Sequence, residues 1–85
     1  RARGDSMGGA GIHDGDLLVV DRSEEARHDS VVIASVNGEL TVKRYVRRDG
    51  QVWLEPENPA YQAILLNEED DVRTWGVVTN VIHRL

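Results

Sequence analysis

The length, composition and charge of this chain exclude several classes of protein. Its 85 residues include no cysteine and carry a formal net charge of −5, so it forms at most one domain, without disulfides or thiolate–zinc sites. The acidic balance argues against a surface that coats nucleic-acid phosphates, and we expect no direct sequence-specific DNA binding by this domain. No apolar run approaches the roughly 20 residues that cross a bilayer, so no membrane partner is expected.

The first half of the chain predicts turns followed by strands. The first sixteen residues are rich in glycine and aspartate, which indicates turns rather than helix. Apolar runs of strand length follow at 17–20 and 31–36. An Asn-Gly pair at 37–38 and an Asp-Gly pair at 49–50 each separate two strand-like runs, and such pairs favour hairpins because both central residues must accept a positive φ. We therefore predict a three-stranded meander from residue 31 to residue 54.

The second half of the chain predicts further strands. Residues 63–66 form another short apolar run, 68–71 an acidic loop, and 72–82 a long β-branched strand. Residues 23–27 favour at most one turn of helix. The predicted fold class is therefore mainly β: a single compact domain of short antiparallel strands and tight turns, covering residues 1–85.

Ser6 lies in a glycine-rich segment, Gly4-Asp5-Ser6-Met7-Gly8-Gly9. Flanking glycines allow a sharp turn that exposes the side chain, and they let backbone N–H groups approach a reacting carbonyl oxygen. A serine hydroxyl is a weak nucleophile unless a neighbouring group removes its proton. The segment is equally compatible with an ordinary solvated serine, so the interpretation depends on finding a base.

Histidine is the first base to consider for Ser6. A triad could combine Ser6 with His13 and an aspartate, but His13 lies in a polar turn, where histidine is usually exposed. The candidate aspartates are Asp14, Asp16 and Asp21. Neither His28 nor His83 has a specific neighbour in the sequence. The spacing of His13, Asp14 and Asp16 matches neither a calcium loop nor a zinc motif, so we expect no metal and no cofactor.

Lysine is the second base to consider. The ten basic residues are nine arginines and a single lysine, Lys43, and lysine can lose its proton when desolvated whereas arginine cannot. Only about 0.04% of an unperturbed lysine is neutral at pH 7, so Lys43 needs a dry environment to act as a base. Strand alternation places Lys43 on one face with Thr41 and Tyr45, opposite an aliphatic set. That set is Leu40, Val42 and Val46. The pattern does not decide whether the lysine face is buried.

Several motifs in the chain resemble the UmuD/LexA family of self-cleaving serine peptidases, in order and over nearly the whole length. They are Gly4-Asp5-Ser6-Met7, Gly11-Ile12-His13-Asp14-Gly15-Asp16-Leu17-Leu18-Val19-Val20-Asp21, Gly38-Glu39-Leu40-Thr41-Val42-Lys43-Arg44, Pro56-Glu57-Asn58 and Gly76-Val77-Val78. The combination of a Ser-Met motif with a Thr-Val-Lys-Arg strand is much rarer than either motif alone.

The resemblance implies a fold, an activity and site residues. Ser6 matches the catalytic nucleophile and Lys43 the deprotonated base. The backbone N–H groups of Ser6 and Asp5 would hold the oxyanion. Family members form strongly bent, mostly β homodimers and cleave their own N-terminal arm when stimulated by RecA–ssDNA filaments after DNA damage.

The motifs at 13–23 and 76–79 are more similar to UmuD than to LexA. A UmuD-type protein is cytoplasmic, has no DNA-binding domain and, once processed, joins a UmuC-type translesion polymerase in the SOS response. Three alternatives remain: the dimerisation and autocleavage domain of a LexA-type repressor, a non-catalytic interaction module, and a signal-peptidase relative with a membrane anchor. The residues upstream of Arg1 would distinguish them.

The chain departs from the family pattern in two places. Family members often have glycine near positions 28–30, where this chain has His28-Asp29-Ser30. The usual Ala-Gly or Cys-Gly cleavage bond of the arm is absent, and Ala10-Gly11 lies too close to Ser6 to reach it. We therefore expect the chain to be the catalytic core of a longer protein.

The basic cluster of Arg44, Arg47 and Arg48 is interpreted as a solvated hairpin end.

Overall fold

The described residues form a single antiparallel sheet of six strands. The computed structural model describes residues 15–56, 62–66 and 71–83. The strands are β1 (Leu17–Asp21), β2 (Val31–Val36), β3 (Glu39–Arg48), β4 (Gln51–Glu55), β5 (Ile64–Leu65) and β6 (Val72–Ile82). Their order across the sheet is β1-β6-β2-β3-β4-β5. These residues contain no helix, which confirms the mainly β prediction and leaves no helical membrane span among them.

The predicted meander is confirmed as β2, β3 and β4. At the first turn Asn37 has φ 51° and Gly38 has φ 85°; at the second, Asp49 has φ 51° and Gly50 has φ 76°. Positive φ at both central positions matches the twist of the flanking strands. The two turns place the ten-residue strand β3 between β2 and β4.

The connection from β1 to β2 is irregular, and residues 23–27, which could form at most one turn of helix, form none. The Asp21 carboxylate accepts hydrogen bonds from the backbone N–H of Ser23 (2.8 Å) and from its hydroxyl (2.7 Å). These bonds, the hydroxyl first, lower the pKa of Asp21. An aspartate that bonds the backbone two residues later stabilises a turn at the expense of a helix.

The same connection rejoins the sheet beside β3. The Asp29 N–H donates to the Tyr45 carbonyl (2.7 Å), and the Tyr45 N–H donates to the Ser30 carbonyl (2.8 Å). Asp29 has φ 73°, in the left-handed region where glycine carries no steric penalty. This conformation explains why the resembled family often has glycine near this position.

Strand β6 bends because it carries two bulges. Ile33 pairs with Gly76 and Ala34 with Thr74, so Trp75 has no partner on β2. Thr79 is likewise passed over in the pairing with β1, and its hydroxyl donates to the Val19 carbonyl (3.2 Å). Each extra residue increases the local twist of a strand. Strand β6 can thereby pair along one half with β2 and along the other half with β1.

Apolar side chains pack on both faces of the curved sheet. The main core is centred on β2 and β4, where Val32 and Leu54 are fully buried. Its other buried members are Ala34, Val72 and Val77. A second cluster contains the partly buried Leu18, Val31, Val42 and Val81. The central strands are therefore shielded from water above and below.

Candidate active site

Lys43 lies near the middle of β3 and is buried, with 8% of its surface exposed. Its cross-strand partner is Val32 on β2, which in turn pairs with Val77 on β6. On its other side β3 begins to pair with β4 only at Arg44, whose partner is Glu55. Lys43 therefore lies one residue beyond the described pairing with β4.

The face of β3 that carries Lys43 is the main-core face. Cross-strand partners in an antiparallel pair point to the same side of the sheet. Lys43 therefore shares a face with Val32, and Tyr45 shares it with Leu54, both of which are fully buried. The sequence left open whether this face is dry, and the structure shows that it is.

The aliphatic set of β3 lies on the other face, as the alternation predicts. Val46 is buried, Val42 is partly buried, and Leu40 at the hairpin end is 60% exposed. Both faces of the strand are therefore apolar around Lys43, and strand alternation alone does not reveal this arrangement because it distinguishes only one side from the other.

Burial lowers the pKa of Lys43. Desolvation penalises the ammonium form, since the surrounding apolar side chains replace none of the hydration that it loses. Within residues 15–56, 62–66 and 71–83, no carboxylate forms an ion pair with Lys43 that would raise the pKa again. A lysine whose pKa is lowered by burial is the type of group that can serve as a base.

The other residues of the predicted site lie outside the described residues. They are the nucleophile Ser6, the oxyanion residue Asp5, and the alternative base His13 with Asp14. The Ala10-Gly11 bond also falls there. The Ser6–Lys43 dyad and its oxyanion hole therefore remain predictions.

Asp16 and His83 form a contact that sequence reasoning missed. Asp16 is 5% exposed, and the Nδ1 of His83 lies 2.8 Å from its Oδ2. The pairing of Leu17 with Ile82 brings the start of β1 to the end of β6 and so places the two side chains together. No local signal could have found this pair, because 67 positions separate its members. Its contact with His83 gives Asp16 a structural role.

The other polar candidates also have structural roles. The His28 Nδ1 accepts a hydrogen bond from the Arg47 N–H (3.0 Å). In the basic cluster, Arg44 donates to the Asp29 carbonyl (2.8 Å), and Arg48 forms an ion pair with Glu55 (2.8 Å). Across the described part of the chain, no group of three or more His, Cys, Asp or Glu side chains is placed to hold a metal ion.

A buried, deprotonatable lysine on a central strand fits the family that the sequence resembles. The Peptidase S24-like family model matches residues 1–79. The chain belongs to the Peptidase S24-like family.

The relatives of this chain include proteins named ImpA and proteins named LexA repressor. The chain is 45% identical to the Protein ImpA of Escherichia coli and to that of Salmonella typhimurium over 86 aligned residues, which is 99% of this chain and 57% of each relative. It is also 45% identical to the LexA repressor of Syntrophotalea carbinolica over 82 residues, or 96% of this chain and 41% of the repressor. The chain thus spans about half the length of the curated relatives it matches.

Proposed function

We propose that this Peptidase S24-like chain is the catalytic core of an autopeptidase that cleaves its own N-terminal arm with a Ser6–Lys43 dyad. The observation that carries the proposal is the environment of Lys43, which is buried and has a lowered pKa. The family match and the Gly-Asp-Ser-Met segment support Ser6 as the nucleophile.

The proposed reaction uses Lys43 in turn as base and acid. The neutral amine takes the proton of the Ser6 hydroxyl as its oxygen attacks the carbonyl carbon of the scissile peptide bond. The backbone N–H groups of Ser6 and Asp5 bind the oxyanion. The new ammonium gives its proton to the leaving amine, which yields an acyl-enzyme. Water, deprotonated by the same amine, then hydrolyses that ester and frees Ser6.

Burial makes this chemistry possible, because an amine surrounded by water would stay protonated at neutral pH. It also explains why the base is not an arginine, although the chain uses arginine at every other basic position. A guanidinium stays charged at any accessible pH.

The biological role that we propose is that of a UmuD-like protein of the SOS response. RecA–ssDNA filaments would stimulate its cleavage, and the processed homodimer would join a UmuC-type translesion polymerase in the cytoplasm. The motifs at 13–23 and 76–79 support this branch, and the net charge of −5 argues against direct DNA binding. A LexA-type repressor domain is the second candidate, since ImpA and LexA relatives are equally similar.

The dyad is tested by self-cleavage of the full-length natural protein at increasing pH without any stimulating partner. Wild type should cleave faster as pH rises, because Lys43 loses its proton, and should level off above the pKa of Lys43. Lys43→Arg should reduce cleavage by at least about 100-fold, the lower end of what a positioned base contributes. Arg47→Lys, a conservative change at an exposed site of the same strand, should leave it unchanged. Equal cleavage by Lys43→Arg and wild type would refute the assignment.

The nucleophile is tested separately. Ser6→Ala should stop cleavage, whereas Ser35→Ala, a matched change on β2, should not. Cleavage that persists in Ser6→Ala would remove Ser6 from the mechanism. A wild-type protein that never cleaves but still binds RecA filaments would favour the non-catalytic module, and specific binding of operator DNA by the full-length protein would favour the LexA branch.

A further inference from the structure

A small pocket lies beside Trp75, on a part of β6 that the proposed chemistry does not use. We call it the Trp75 pocket. Its lining includes Arg22, Glu24 and Glu25 from the β1–β2 connection and Thr74, Trp75 and Gly76 from β6. Its volume is about 190 Å³, which is enough for one long side chain of a partner. Val77, which also lines the pocket, pairs with Val32 on β2, and Val32 pairs with Lys43 on β3. Strand β2 therefore lies between the pocket and Lys43.

The bulge in β6 presents Trp75 to this pocket. Trp75 is the extra residue of the bulge and has no cross-strand partner on β2, so its side chain does not follow the regular alternation between the two faces of the strand. It is 38% exposed, although tryptophan is among the residues that gain most from burial. An exposed tryptophan at a bulge is typical of a contact site, since tryptophan is enriched among residues that dominate binding energy.

The pocket is held in shape before any partner arrives. The Arg22 guanidinium carbon lies 4.1 Å from the centroid of the Trp75 ring, and the Arg22 Nε donates to the Trp75 carbonyl (3.2 Å). A Cβ atom on Gly76 would lie 2.5 Å from the Val20 Cγ1, so only glycine permits this close approach of β1 to β6. A pre-formed site loses less entropy on binding.

The charge of the pocket favours a cation. Two glutamates and one arginine line it, and among the described residues neither Glu24 nor Glu25 forms an ion pair. Arg22 already stacks on Trp75, so its contacts hold the pocket together. The two carboxylates are then available for an incoming positive group, which they attract by charge. Trp75, which stays 38% exposed beside the stacked Arg22, offers apolar surface next to them.

We propose that the Trp75 pocket is a docking site for a lysine or arginine side chain carried by an extended segment of a partner protein. The aliphatic stem of that side chain would lie against Trp75, and its charged end would reach Glu24 and Glu25. Amphipathic cations bury their stems and keep their charged ends near polar groups in this way.

The proposal is tested by measuring peptide binding to the full-length natural protein. The protein carries Ser6→Ala, which prevents cleavage. It also carries Trp53→Phe, so that Trp75 is the tryptophan of this chain whose fluorescence is followed. The probes are two ten-residue peptides of valine and threonine with one central lysine or one central norleucine. We expect the lysine peptide to change the fluorescence of Trp75 and to bind about tenfold more tightly than the norleucine peptide. We also expect this preference to shrink as salt is raised.

Charge-reversal variants decide where the lysine peptide binds. Glu24→Lys should weaken its binding about tenfold, whereas Glu39→Lys, the same change at an exposed site on the β2–β3 hairpin, should have less than a twofold effect. Circular dichroism should show that both variants keep the fold, since both positions are exposed. Equal affinity for the two peptides, equal effects of the two variants, or no binding would each overturn the proposal. Tighter binding of the norleucine peptide would also overturn it and indicate an apolar partner.

Discussion

Strand β3 places two basic side chains in opposite environments, Lys43 near its middle and Arg48 at its end. Lys43 is 8% exposed, its neighbours are apolar, and burial lowers its pKa. Arg48, five residues further on, has a side chain that is 61% exposed and lies 2.8 Å from the Glu55 carboxylate. The same strand thus carries one basic side chain whose charged form is destabilised by burial and one whose charged form is stabilised by an ion pair.

The fold, and not the residue type alone, therefore decides whether a basic side chain can act as a base. At Arg48 water and a carboxylate both stabilise the charged form, so the positive charge persists. Lys43 is buried and pairs with no carboxylate among the described residues, so its charged form is less stable than in water. Four predictions test this contrast, beginning with the largest expected effect.

The most direct test of this contrast is to move the lysine from the buried position 43 to the exposed position 48. Lys43→Met combined with Arg48→Lys should lower self-cleavage of the full-length protein by about 100-fold or more, because an exposed lysine stays protonated. Single-turnover cleavage on gels would measure this loss. Arg48→Lys alone should cleave like wild type. Activity recovered in the double variant would show that the location of the lysine is unimportant.

A second prediction concerns a change that lets water reach Lys43. Val32→Ala removes buried methyl groups opposite Lys43 and should lower the free energy of unfolding by roughly 2 kcal/mol. It should also raise the pKa of Lys43 toward its ordinary value, as water reaches the amine. NMR titration of the Cε resonance of Lys43, identified by its loss in Lys43→Arg, would follow this pKa. Val42→Ala, on the opposite face, should reduce stability without raising the pKa. The same pKa in both alanine variants would contradict desolvation by the main core.

A third prediction concerns the pH dependence of stability. The pKa of Lys43 is lower in the folded state than in the unfolded state, so between these two values the unfolded state binds more protons and stability rises with pH. Below the folded-state pKa the full cost of the buried charge remains. Lys43→Met should therefore be more stable than wild type at pH 7, and its advantage should shrink as the pH approaches about 10.4. Urea unfolding of both proteins across this range would measure the difference. An advantage that grows with pH would mean that the ammonium is stabilised by the fold.

The smallest effect on stability is expected at the ion pair between Arg48 and Glu55. Glu55→Gln should lower the free energy of unfolding by about 1 kcal/mol, the upper end for exposed ion pairs, because Arg48 is exposed while the Glu55 side chain is only 23% exposed. The loss should diminish when salt is raised, because salt screens exposed charges. Thermal unfolding at low and high salt would measure both values. A loss of several kcal/mol that salt does not change would show that Arg48 and Glu55 are not a surface pair.

Local patterns predicted the parts of the fold that depend on neighbouring residues. The Asn37-Gly38 and Asp49-Gly50 turns follow from residue types that tolerate positive φ, and the long strand at 72–82 follows from its β-branched residues. At 23–27 the sequence allowed at most one turn of helix, and the chain forms none; Asp21 instead bonds to Ser23 in a different turn. Sequence alone also selected Lys43, since it is the single lysine among ten basic residues.

Contacts between distant residues were decided only by the tertiary structure. Alternation placed Lys43 opposite the aliphatic residues of β3, but the burial of its own face depends on Val32 and Leu54, which belong to other strands. The bulge that exposes Trp75 is likewise a property of how β6 pairs with β2. A strand's sequence determines which side chains share a face, whereas the strands and layers that pack around it determine which face is dry. The desolvation that lowers the Lys43 pKa therefore exists only in the folded chain.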